Sequence, residues 1–126
     1  MTTKSRQRPD GKSARRADRR ALLIEVLPGV LEGQNGTTGQ TFIVTRFATL
    51  DATVLARIMP DIVYAPLLGR GFDILDVATL LVRLGYRGQL LAVTAPLPNP
   101  AAVIAEIRSQ CKTLDIGLFD VGQSTA

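Results

Sequence analysis

Three observations predict a doubly wound α/β domain around a parallel five-stranded sheet. The chain has 126 residues, which is the size of one domain. Hydrophobic residues make up 46% of it and aromatic residues only 5%, so the core should consist mainly of aliphatic side chains. Short apolar runs alternate with segments of helical periodicity, and this alternation predicts right-handed crossovers between parallel strands.

The first part of the predicted domain contains two strands joined by a loop. Residues 21–27 form a short apolar run that Pro28 and Gly29 interrupt, and they predict strand 1. Residues 32–40 include three glycines, whose entropic cost disfavours a helix there. Residues 42–45 predict strand 2.

The rest of the domain contains three predicted helices and three predicted strands. Each helix follows a residue that favours the N-cap position. The helices are residues 50–59 after Thr49 or Asp51, residues 74–84 after Asp73, and residues 100–112 after Asn99. Pro60 ends the first of them and Gly85 the second. The remaining apolar runs predict strands 3, 4 and 5 at residues 62–65, 90–94 and 116–119.

The residue types exclude many kinds of catalytic site. The chain has no histidine, so it lacks the most common general base, the usual nucleophile pairs and every His-based zinc site. Its one cysteine, Cys111, cannot form an intrachain disulfide, and its place on an apolar helix face favours a packed thiol. We therefore expect a binding protein and not an enzyme, with no catalytic residue, no metal and no cofactor.

Positive charge is concentrated at the N terminus. Residues 1–20 contain eight Lys or Arg and two Asp, whereas the whole chain has a net charge of +4. This pattern predicts a flexible basic tail at residues 1–20, a folded domain at residues 21–120 and a short C-terminal tail at residues 121–126. The basic tail is either solvated or in contact with nucleic acid or an acidic protein. The candidate nucleic-acid contacts are Arg15, Arg16, Arg19 and Arg20.

No segment of the sequence has the features of a membrane or secretory signal. The longest apolar stretches are interrupted by Arg57, Gly69 or Arg83, so none reaches the roughly 20 residues of a transmembrane helix. The charged N terminus contains no apolar stretch. The sequence predicts a cytoplasmic protein that does not cross a membrane.

Three stretches resemble the receiver domain of bacterial response regulators. Residues 60–77, PDIVYAPLLGRGFDILDV, are similar to the receiver run in which PDLVLLD leads into PGMDGLEV. Residues 85–95 are similar to the segment in which the fourth receiver strand ends in Thr-Ala, and residues 23–28 to a first strand that ends in VEDEP. The resemblance covers most of residues 21–120 and implies a flavodoxin-like receiver fold.

The same resemblance implies a phosphorylation site that has lost most of its residues. A receiver carries a phosphoacceptor Asp after strand 3, an acidic pair after strand 1 that holds Mg²⁺, a Thr or Ser after strand 4 and a Lys after strand 5. The matching positions are, in the same order, Pro66, Glu25 with Val26, Thr94, and Asp120. Thr94 alone matches in full, and both Thr94 and Glu25 can instead be ordinary structural polar residues. Asp61 cannot replace the phosphoacceptor because it precedes strand 3. We expect no phosphorylation and no Mg²⁺ site.

The resemblance further implies a sheet with an uncovered face. We expect the first and the last receiver helices to be missing or vestigial here, because residues 28–42 are few and rich in glycine and only a few residues follow strand 5. The expected partner surface consists of Leu23, Ile24, Val26 and Val30, covered by a second copy of the chain or by another protein. The resulting hypothesis is a phosphorylation-independent protein-interaction module in bacterial signalling or transcriptional regulation. The alternative is a nucleic-acid-associated protein that binds through its basic tail.

Overall fold

The computed structural model describes residues 19–32, 37 and 39–121. Within these residues one sheet of five parallel strands has the order β2-β1-β3-β4-β5. The strands are β1 (Arg20–Ile24), β2 (Thr41–Thr45), β3 (Ile62–Pro66), β4 (Gln89–Thr94) and β5 (Asp115–Asp120). Helices lie between successive strands, and the arrangement is α/β and flavodoxin-like. The predicted fold class is therefore confirmed.

Among the described residues, three α-helices have at least seven residues and a fourth is very short. The helices are α1 (Pro28–Leu31), α2 (Ala52–Ile58), α3 (Ile74–Arg83) and α4 (Pro100–Gln110). The four residues of α1 confirm that the first helix is vestigial. The expected absence of a helix after β5 concerns residues 122–126, which lie outside the described residues. None of the helices in the described ranges is long and apolar enough to span a bilayer.

The predicted N-caps begin the three longer helices. Asp51, and not Thr49, caps α2 by accepting a hydrogen bond of 2.9 Å from the Val54 backbone N–H. Asp73 caps α3 in a reciprocal capping box with Asp76. Asn99 caps α4 by accepting a bond of 3.2 Å from the backbone N–H of the third helical residue. Because each side chain satisfies an N–H that the helix leaves without a partner, these residues fix where the helices begin.

The strand alternation divides the core into two groups, one on each face of the sheet. We call the side that carries α2, α3 and α4 the helix face. Its fully buried residues include Leu22, Val63, Leu90 and Ile116 from the strands and Val77, Ala78 and Leu81 from α3. We call the opposite side the loop face. Its buried residues are Ala21, Leu23, Val26, Leu31, Ile62 and Tyr64.

Within the described residues, the loop face is covered by α1 and by Thr37 and Gln40, which precede β2. Thr37 is buried, and its hydroxyl donates to the Leu31 carbonyl at 3.1 Å. The Tyr64 hydroxyl donates to Gln40 Oε1 at the same distance of 3.1 Å. Farther along the sheet, at β4, β5 and the residue after β5, the apolar residues on this face are only partly buried. They are Leu91, Val93, Phe119 and Val121. A full helix is therefore replaced by a shorter cover over the central strands.

The first strand has different bounds from the predicted ones. It begins at Arg20 and ends at Ile24, because Glu25 adopts a left-handed backbone with φ of 55°. Thr41 N–H donates to the Arg19 carbonyl at 2.8 Å, so the chain is already part of the sheet at Arg19. The predicted boundary between tail and domain, after residue 20, is therefore too late. Residues 1–18 lie outside the described residues.

Candidate functional site

The carboxyl edge of the sheet is the place where this strand order favours a ligand site. From β1 the chain goes to β2 on one side, and the next strand, β3, lies on the other side. In open α/β sheets such a switch point leaves a crevice outside the strand ends, where ligands bind. Here a cavity of about 470 Å³ lies at that place, and we call it the switch-point crevice. It is lined by Glu25, Leu27, Pro66, Gly69, Arg70 and Phe72.

Glu25 keeps the one carboxylate expected after β1, but its carboxylate supports the neighbouring turn. Its Oε2 accepts a hydrogen bond of 3.0 Å from the Phe47 backbone N–H. Its own N–H donates to the Thr45 carbonyl at 2.9 Å. A left-handed backbone at a residue with a Cβ persists only where its surroundings hold it. Both bonds supply that restraint, so Glu25 links the ends of β1 and β2.

Pro66 ends β3 at the position that the resemblance assigns to the phosphoacceptor. It lies opposite Val93 of β4 and is half-buried. Proline interrupts a central strand because it lacks an N–H. The interruption is limited here because the next residue, Leu67, donates to the Val93 carbonyl at 2.9 Å. The position has no side-chain oxygen that could accept a phosphoryl group.

Thr94 and Asp120 end the neighbouring strands β4 and β5 and lie opposite each other in register. The Thr94 hydroxyl donates to the Ala95 carbonyl at 2.9 Å, which is a local bond within the turn. Asp120 places an exposed carboxylate where the resemblance implies a lysine ammonium. The sheet therefore brings four of the five predicted positions to one edge. The fifth, Val26, is only 5% exposed and packs into the loop face.

Asp61 lies at the opposite end of the sheet from these residues, as the sequence predicted. Its Oδ2 accepts a hydrogen bond of 2.9 Å from the Arg20 backbone N–H at the start of β1. The Arg20 guanidinium donates to the Ile58 carbonyl at 3.0 Å, at the last residue of α2. A cation at a helix C terminus is favourable because it complements the helix dipole. Arg20 is thus held by the domain, whereas Arg15 and Arg16 lie outside the described residues and Arg19 is half-buried.

The predicted partner surface is not one surface. Leu23 belongs to the loop face and Ile24 to the helix face, because successive residues of a strand point to opposite sides. Both are fully buried, and Val26 is nearly so. Val30, at 39% exposure, is the one member of the predicted set that reaches solvent. The prediction of an apolar surface formed by these four residues together was wrong.

The apolar residues in and near the crevice were not predicted from the sequence. Leu27, which lines the crevice, is 71% exposed, and Leu68, which lines a separate cavity, is 79% exposed. The Phe72 ring stacks on Phe47 with centroids 4.6 Å apart. Arg70 adds an exposed cation to the rim. The sequence signals a loop between β3 and α3, but it does not reveal which of its leucines remain in solvent.

The two described tyrosines lie outside the crevice. Burial raises the pKa of Tyr64, against the lowering effects of its bond to Gln40 and of Arg19. Burial also raises the pKa of Tyr86, to about 12. Tyr86, with Met59 and Asp61, lines a separate cavity of about 540 Å³ at the amino ends of the strands. Both phenols are neutral at pH 7, and among the described residues no group of three His, Cys, Asp or Glu side chains could hold a metal ion.

The fold and its carboxyl edge define a class of protein: a doubly wound α/β domain with a flavodoxin-like strand order and one carboxylate, Glu25, in its switch-point crevice. Comparisons of the chain with protein-family models, with curated proteins and with solved structures gave no match. The resemblance to receiver domains rests on the sequence stretches given above, and it enters the functional argument as a proposal.

Proposed function

We propose that this chain is a degenerate receiver-like domain that acts in the cytoplasm as a phosphorylation-independent protein-interaction module, in bacterial signalling or transcriptional regulation. The observation that carries the proposal is Pro66, which occupies the end of β3 where a receiver has its phosphoacceptor. The flavodoxin-like sheet supports it, although a fold of this kind serves many functions. The module binds and does not catalyse.

The surroundings of Pro66 also oppose phosphoryl transfer. Mg²⁺ requires several oxygen ligands in near-octahedral geometry. Glu25 offers a carboxylate that already accepts the Phe47 N–H, and the adjacent Val26 is apolar and buried. Asp120 would repel a phosphoryl group that a lysine would attract. The edge therefore favours a partner that is recognised without any phosphoryl signal.

The proposal is tested by adding beryllofluoride and Mg²⁺, which together mimic an acyl phosphate. We expect no saturable shift of the Glu25 and Thr94 amide signals in an NMR titration. Asp120→Asn serves as the control for weak Mg²⁺ binding at the edge, because it removes the exposed carboxylate there. Saturable, Mg²⁺-dependent shifts that persist in Asp120→Asn and disappear in Thr94→Ala would contradict the proposal.

A second candidate function, nucleic-acid binding, is favoured by the eight basic residues among residues 1–20. Contacts between such residues and phosphates release counterions, so the affinity should fall steeply as salt increases. The test is duplex DNA binding measured by fluorescence anisotropy at several salt concentrations. Arg15→Ala with Arg16→Ala should reduce the salt slope, whereas the exposed Arg83 and Arg87 of the folded domain supply a matched control pair. Equal slopes for both pairs would exclude a specific role for the basic segment.

A further inference from the structure

The two edges of the sheet differ in whether they oppose pairing with another strand. β2 forms one edge and β5 the other. An edge strand presents unpaired backbone N–H and C=O groups, and proteins normally protect such strands with charges, proline or bulges. The protection is present on β5 and is missing from β2.

The backbone bonds of β2 identify which of its residues face outward. Thr41 N–H donates to the Arg19 carbonyl at 2.8 Å, and the Thr45 carbonyl accepts from the Glu25 N–H at 2.9 Å. In a parallel pair both backbone groups of a residue point to the same side, and successive residues alternate. Phe42 and Val44 therefore direct their N–H and C=O groups away from β1. No strand within the described residues lies on that side.

The side chains of β2 leave this edge unprotected. Its sequence, TFIVT, has no charged residue, no proline and no glycine. Val44 is 48% exposed, although it lies within a strand of high β-propensity. An uncharged and exposed edge of this kind is a template for pairing with a further strand.

The β5 edge has the opposite character. Asp115 and Asp120, both exposed, occupy its two ends. Charged side chains on an edge strand oppose pairing with a further strand, and Gly117 weakens the strand interior further. A second copy is therefore disfavoured at β5.

We propose that two copies of this chain pair antiparallel through β2, about a two-fold axis at Ile43, and so join their sheets into one. This register places Phe42 opposite Val44 and Thr41 opposite Thr45. The backbone N–H and C=O groups of both Phe42 and Val44 face outward. Each of the two symmetry-related Phe42–Val44 pairs can therefore form two backbone hydrogen bonds. The inference deepens the proposed function, because it names the second copy as one partner of the interaction module.

The side chains fit this register. Phe42 and Val44 both lie on the side of the loop face, so an aromatic ring meets a β-branched side chain twice across the axis. A slip of one residue would place the outward backbone groups of one copy opposite inward groups of the other. A slip of two residues would restore the hydrogen-bonding pattern. It would also move the axis to Phe42 or Val44 and leave fewer residues paired. The axis at Ile43 pairs all five residues of β2.

The oligomeric state of the full chain tests the proposal. We expect a concentration-dependent dimer in sedimentation equilibrium, and Val44→Lys should weaken it by at least about tenfold because a lysine then protects the edge. Val82→Lys is the matched control, since Val82 of α3 has a similar exposure of 40% and lies on a helix. A monomer at all concentrations, or equal weakening by both variants, would overturn the proposal.

Disulfide cross-linking tests the register. Ile43 of each copy forms a non-hydrogen-bonded pair at the axis, where the Cα atoms are about 4.5 Å apart, within disulfide range. In a Cys111→Ala background, Ile43→Cys should form a covalent dimer on oxidation and Val44→Cys should not, because Val44 lies opposite Phe42.

A dimer without the Ile43 cross-link would overturn the register, and a monomer that binds an extended peptide along β2 would overturn the second copy as occupant. Neither result depends on the beryllofluoride titration, so this inference can fail while the proposed function stands.

Discussion

The two faces of the sheet are built from the same strands but covered in different ways. Three helices cover the helix face, and their buried side chains interlock with those of the strands. Among the described residues, a helix of four residues with Thr37 and Gln40 covers the loop face, where Phe119 and its neighbours on β4 and β5 stay half-buried. A strand that is buried on both sides is therefore not supported equally on both sides. Stability should be concentrated in the helix face.

The largest effect should come from Leu81→Ala in α3. Leu81 is fully buried among the strands of the helix face. Its truncation leaves a cavity that rigid neighbours cannot fill, so we expect the free energy of unfolding to fall by about 3 kcal/mol. Urea denaturation measures this change. Val82→Ala, one residue away and exposed, should change the same quantity by less than about 0.5 kcal/mol.

Leu31→Ala makes the corresponding change on the loop face. Leu31 is also fully buried, but it lies at the end of the four-residue α1. A short element at a loop can move into the space left by the truncation, and a collapsed cavity costs less than an open one. We expect a loss of about 2 kcal/mol in the same urea experiment. A loss larger than that of Leu81→Ala would show that the loop face is the better supported one.

Tyr64→Phe should have a smaller effect. It removes the hydroxyl that donates to Gln40 Oε1 at 3.1 Å and holds the end of the covering segment against β3. A hydrogen bond of this kind contributes about 1 kcal/mol to the free energy of unfolding. A double-mutant cycle with Gln40→Leu measures the coupling between the two side chains. If the effects of the two changes simply add, the bond does not hold the segment in place.

The last change, Tyr86→Phe on the helix face, is distinguished by its dependence on pH, and it also removes the hydroxyl that donates to the Gln89 carbonyl at 3.0 Å. The pKa of Tyr86 is about 12 in the folded protein, against 10.0 for an ordinary tyrosine. Between these values the unfolded chain loses the phenolic proton while the folded protein keeps it, so stability falls as pH rises through this range. Tyr86→Phe should make the free energy of unfolding less steep with pH above 10. An unchanged slope would show that Tyr86 does not account for the loss.

The sequence predicted helices better than the connections between them. Asp73 and Asn99 marked helix starts correctly because capping depends on a local side-chain bond. The sequence does not show where β1 ends, because Val26 continues its apolar run. The left-handed turn at Glu25, which ends the strand, depends on hydrogen bonds to Thr45 and Phe47. Such partners are distant in sequence and leave no periodic signal.

The candidate site was predictable in its residue types but not in its surroundings. The register that places Thr94 opposite Asp120 follows from the predicted strands. The partner surface was misplaced because Leu23 and Ile24, as strand neighbours, point to opposite faces. The open edge at β2 follows from the strand order, which is a property of the whole fold and not of the β2 sequence.

The anchoring of Arg20 has a geometric consequence for anything attached upstream of it. Its bonds to Asp61 and Ile58 fix the point where the chain enters the domain, at the amino end of β1. The switch-point crevice lies at the other end of the same strand, and five residues of strand span about 16 Å. A molecule bound where the chain enters the domain therefore lies at the opposite end of β1 from a molecule in the crevice. Two molecules bound at these two ends would not compete for the same space.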